Sequence, residues 1–233
     1  QIKLTAQFSV STAKENGMFN VVSVCSYHNT VDDVKASEHW DALQKKYESE
    51  KKSAEEIQFE KKNFYALQAY RYYHTNKQGE PNSFDFIVQS IGIYENSAIV
   101  HKACVILMNK FADLMKNVEA DTVMIYDSMK TKEHKHSVIE SNVEHSFDVV
   151  LEDEDYTVGC VLEKLLYELF YIGSIEPIMT FVGFKKYHPH DSYSIVRLAY
   201  KEIPDKLTIK NNVIEACKKA HEIFNTIKGM FKA

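Results

Sequence analysis

The sequence predicts an α+β fold of small antiparallel sheets packed with long helices, and three observations predict it. Short runs alternate apolar and polar residues at period two; longer runs carry apolar residues at spacings of three and four; and the order strand, then helix, occurs twice. The 233 residues are 45% hydrophobic and 26% charged, with only seven Gly and four Pro. That length buries a sizeable core, and so little Gly and Pro excludes a linker-like or collagen-like chain.

Residues 2–10 place Ile2, Leu4, Ala6, Phe8 and Val10 in alternation, and part of 19–24 continues the pattern. The opening therefore reads as two strands around a turn at Asn16-Gly17. From about 32 to 62 the chain is polar, with Lys45, Lys46, Glu48, Glu50, Lys51, Lys52, Glu55 and Glu56 close together. Mixed signs at that density mark a solvated face, so this is an exposed helix or irregular excursion rather than a core element. Alternation returns at Phe84, Phe86, Val88 and Ser90, and the strand ends at Gly92. Asn96 or Ser97 then caps a long helix whose Val100, Cys104, Leu107, Phe111, Leu114 and Val118 form one apolar stripe. A stripe of that length needs a partner.

Residues 119–144 are polar, hold His134 and His136 and lead to His145, so they read as a connector. A second strand-and-helix unit follows over 145–233, against a first over 1–118. Its strand is 147–151, its turn Glu152-Asp153-Glu154-Asp155, and its helix about 158–171 with Thr157 as cap. Val158, Val161, Leu162, Leu165, Leu166, Leu169 and Phe170 make that helix apolar around much of its circumference, which predicts burial from more than one side. Gly159 in the first turn costs roughly 1 kcal/mol of helix propensity and permits a close approach. Strands at 180–185 and 193–200 are joined across His188-Pro189-His190-Asp191. The last helix carries Val213, Cys217, Ala220, Phe224, Ile227 and Phe231 at the same spacings of four and three.

Several function classes are disfavoured. A formal net charge of -5 is the wrong sign for a surface that grips phosphates, so direct nucleic-acid binding is not expected. No run approaches the roughly 18 to 20 apolar residues that span a bilayer, and the start lacks a signal pattern. Cys25, Cys104, Cys160 and Cys217 are tens of residues apart, read as buried thiols, and point to a reducing intracellular compartment. His134-x-His136 and His188-x-His190 offer imidazole pairs without a Cys pair to close a tetrahedral site, so no metal or other cofactor is expected. No phosphate loop, Gly-x-Ser-x-Gly or His-Glu-x-x-His is present, and the acids at 152–155 suit the N-terminus of the following helix, so no catalytic residue is expected.

Asp155-Tyr156-Thr157-Val158-Gly159-Cys160-Val161-Leu162 resembles the Asp-His-Thr-Leu-Gly-Asn-Leu-Leu signature of the L-type subunit of archaeal RNA polymerase, whose eukaryotic equivalents are the small alpha-like subunits. Phe181-Val182-Gly183-Phe184 and His188-Pro189 resemble that family's Phe-x-Gly-Tyr and Pro-His-Pro segments, in the same order over about residues 145–231. Earlier, Ala13-Lys14-Glu15-Asn16 resembles the Lys-Glu-His turn of the larger, D-type subunit, and Phe86-Val88-Ser90-Gly92 before the long helix resembles its Phe-x-Val-x-Ser-x-Gly segment. Asn16, Tyr156, Cys160 and Tyr187 depart from the family residues at their positions.

The resemblance implies the two alpha-like dimerisation units of a DNA-dependent RNA polymerase fused in one polypeptide, the C-terminal portion of such a subunit, as in large cytoplasmic DNA viruses. Gln1 in place of Met, at the head of a strand-like run, agrees with a start inside a longer chain. It further implies a non-catalytic assembly platform forming an intramolecular pseudo-dimer rather than a homodimer. Its partners would be the largest, second-largest and other small polymerase subunits, in virion and host cytoplasm if viral or nucleus if cellular. The interface set is then Val100, Leu107, Phe111, Leu114, Thr157, Val158, Gly159, Leu162, Leu165, Leu166 and Phe224. The motif set is Lys14, Glu15, Ser90, Gly92, Asp155, Phe181, Gly183, His188 and Pro189. The alternative is a stand-alone interaction module of α+β fold unrelated to transcription, which would keep the helical seams without the ordered motifs.

Overall fold

A computed structural model describes residues 2–130, 141–173 and 176–231, and its architecture is α+β. The chain forms two compact units, residues 1–96 and 97–233.

In the first unit, β1 (Val22–Asn29) and β2 (Phe84–Ser90) pair antiparallel, with Tyr27 opposite Phe86 and Cys25 opposite Val88. Between them lie α1 (Asp33–Ser49) and α2 (Ala54–Asn63). The Asp32 carboxylate caps α1 by accepting from Lys35 N–H at 3.2 Å, and a Ser53/Glu56 capping box opens α2. The charged stretch is thus two helices rather than an irregular excursion, and it has a core of its own. Ala36, Trp40, Phe64 and Ala69 are buried together, with the Trp40 and Phe64 ring centroids 5.6 Å apart. Charges dominate the composition there, yet Ala36, Trp40, Leu43 and Tyr47 sit on one helical face.

Residues 2–10 are not a strand. Ile2, Leu4, Phe8 and Val10 are 84–99% exposed, and among the described residues β1 pairs only with β2. Alternation makes a segment competent to pair, but a strand exists only where a partner accepts its hydrogen bonds.

From Ser97 on, α3 (Asn96–Glu119) belongs to the second unit. Neither expected cap holds: Asn96 is the first helical residue, and its side-chain oxygen accepts from Ser90 N–H at 2.8 Å, reaching back to the strand. A four-stranded antiparallel sheet follows in the order β3 (Ile125–Asp127), β4 (Ser146–Glu152), β6 (Tyr193–Tyr200), β5 (Met179–Lys185). The stretch read as a connector therefore supplies an edge strand, with Ile125 opposite Val149. His134 and His136 lie outside the described residues. His145 sits at φ 53°, with its Nδ1 3.2 Å from the Lys201 carbonyl.

Helices α4 (Tyr156–Tyr167), prolonged by a π-helical turn over Glu168–Ile172, and α5 (Lys206–Met230) complete the unit. Asp155, not Thr157, caps α4, its carboxylate accepting from Thr157 N–H at 3.0 Å. A carboxylate at this position satisfies an orphan N–H and also favours the positive end of the helix dipole. One face of the sheet, carrying Val149, Leu151, Val196, Leu198 and Tyr200, is buried with α3, α4 and α5 in a single core cluster. On the opposite face Arg197 donates to both carboxylate oxygens of its cross-strand neighbour Asp148, at 2.7 and 2.8 Å.

Candidate interaction surface

The residues singled out in the sequence fall into three groups. The first is the α3–α4–α5 core. Phe111 is fully buried in the same cluster as Val158, Leu162, Leu165 and Leu166, with half-buried Leu114 packed against it. Its ring stacks on half-buried Phe224 of α5 with centroids 5.9 Å apart and planes 16° from parallel. Val100 and Leu107 are half-buried and lie outside the described cluster. Buried Cys104, Phe111 and Val118 recur every seven residues, so the face that α3 buries is narrower than the full stripe.

The second group is the turn into α4, where the acids have structural partners. Glu154 accepts from Lys110 Nζ of α3 at 2.6 and 2.7 Å, and its carbonyl accepts from the Ser194 hydroxyl at 2.9 Å. Asp155 is the helix cap, and the hydrogen bond from the Thr157 N–H holds its carboxyl below the usual range. Thr157 itself is exposed, so its side chain is not part of the buried seam. Gly159 is buried, and a Cβ built there would overlap the Phe184 ring on β5. Tyr156 meets the same ring edge-on, centroids 5.2 Å apart. Two segments separate in sequence, 155–162 and 181–184, are therefore one packed unit. Phe181 folds over Gly183 while remaining 44% exposed. His188 accepts at Nδ1 from His190 N–H at 3.2 Å within an exposed turn that includes Pro189. Among the described residues no three His, Cys, Asp or Glu side chains converge as a metal site.

The third group lies in the first unit. Lys14 and Glu15 occupy a turn in which Thr12 O accepts from Glu15 N–H at 3.1 Å. Ser90 Oγ accepts from Gly92 N–H at 2.9 Å, and Gly92 sits at φ +99°, a conformation that favours glycine. The Asn96 side chain also accepts from Ser90 N–H, so the end of β2 carries two local side-chain bonds.

Among the described residues, two features each present apolar side chains side by side to solvent. Between α4 and α5 runs a groove lined mainly by Val161, Leu165, Ala220, Ile223 and Phe224, with Cys160, Lys164 and Glu168 on its α4 side. On the β1–β2 ribbon, Tyr27 and Phe86 stack at 5.6 Å while 66% and 70% exposed. Both are candidates for contact with a partner, although neither is a large apolar patch. The cysteines divide: Cys104 and Cys217 are buried, whereas Cys25 and Cys160 are exposed, contrary to the expectation of four buried thiols. Cys25 lies on a two-stranded ribbon open on its faces, and Cys160 faces out beside the groove, so apolar neighbours in sequence did not imply cover. Burial pushes the Cys217 thiol up to about 12. No described helix is long and apolar enough to cross a membrane.

No protein-family model matches this chain, and no curated protein sequence matches it.

Proposed function

We propose that this chain is a non-catalytic assembly-platform subunit of a multisubunit DNA-dependent RNA polymerase, carrying the larger and smaller alpha-like units in one polypeptide. The observation that carries the reading is the shared core of α3, α4 and α5. Helix α3 follows the segment that resembles the larger unit; α4 and α5 belong to the segment that resembles the smaller one; and Phe111 and Val118 of α3 are buried among Leu162, Leu165, Val213 and Ala220. These helices share the core of one compact unit, which supports a reading in which the two alpha-like segments pair through them. The contact of Gly159 with Phe184 adds support, because it joins the two segments that carry the small-subunit resemblance.

Fusion has a simple physical consequence. Joining two units by a chain replaces a bimolecular encounter with an effective concentration in roughly the millimolar range, so pairing no longer depends on the abundance of separate subunits. In this account the groove of the second unit and the aromatic ribbon of the first are each available to the two large subunits, and the chain supplies no group to the chemistry. Its location follows the polymerase: virion and host cytoplasm for a viral enzyme, nucleus for a cellular one. The net charge of -5 favours protein partners over direct nucleic-acid contact. Affinity purification of the tagged chain from its native cells, with identification of what co-purifies, tests the reading.

A further inference from the structure

We draw no further inference here: the strongest candidate, the apolar groove between α4 and α5 lined by Val161, Leu165, Ala220, Ile223 and Phe224, belongs to the surface already described, and nothing in the structure shows what covers it.

Discussion

Replacing Phe111 by Ala tests whether α3 is an integral part of the second unit's core. The side chain is fully buried, and deleting a buried Phe side chain costs about 3–5 kcal/mol, the lost transfer energy plus the cavity left behind. Against the roughly 5–15 kcal/mol that stabilises a typical domain, that is a large loss. Part of it is the stack on Phe224, and such aromatic pairs contribute about 0.5–1.5 kcal/mol beyond their buried area. A double-mutant cycle with Phe224→Ala should return a coupling energy of that order. Ile106→Ala, on the same helix but 57% exposed, is the control and should stay within about 0.5 kcal/mol of the parent. The assay is urea unfolding followed by far-UV circular dichroism. Trp40, the single tryptophan, gives a separate fluorescence signal for residues 1–96. A loss below about 1 kcal/mol for Phe111→Ala, or one equal to that of Ile106→Ala, would remove α3 from the core and the shared-core argument with it.

Three further outcomes follow from the same geometry. Gly159→Ala should destabilise by about 1–3 kcal/mol through overlap with Phe184, outweighing the gain of roughly 1 kcal/mol in helix propensity; adding Phe184→Ala should recover part of the loss in a thermal melt. Asp155→Ala should cost about 0.5–2 kcal/mol and Asp155→Asn less, because Asn still caps. The folded carboxyl of Asp155 is held below its ordinary value near 3.9, so its contribution is present above that pH and lost as pH falls through the lower folded value. Denaturation of parent and Asp155→Asn across pH 2–6 should show the variant with the flatter profile. In native protein a disulfide reagent should label Cys25 and Cys160, while Cys104 and Cys217 react only on unfolding; rapid labelling of all four would contradict the described core.

Much of the second unit was legible because its signals are local. The strands expected at 180–185 and 193–200 are Met179–Lys185 and Tyr193–Tyr200, and the helix at 206–230 buries Ile209, Val213, Ala216, Cys217 and Ala220 on the face its spacing marks. What was illegible depended on partners. Residues 2–10 have a strand's pattern without a strand's neighbour, whereas Ile125–Asp127 is a strand because β4 lies beside it. Trp40 was hidden by the charges around it, although Ala36, Trp40, Leu43 and Tyr47 carry helical spacing. Caps failed by a residue or two: Asp155 displaced Thr157, and Asn96 spent its side chain on Ser90. Of the candidate interface, the motif residues could be named from sequence, but the meeting of Gly159 with Phe184 required the fold.

The most direct measurement of the central claim is the affinity purification itself, run with parent, Leu165→Glu and Lys51→Glu chains and read by mass spectrometry and size-exclusion chromatography. Leu165 is 5% exposed within the α3–α4–α5 core, where an unpaired carboxylate costs several kcal/mol, whereas Lys51 is exposed at the end of α1. The account predicts that the parent and Lys51→Glu chains each bring down the two large subunits of an RNA polymerase in equal molar amounts, and that Leu165→Glu does not. A parent chain recovered alone, or with partners unrelated to transcription, would contradict it.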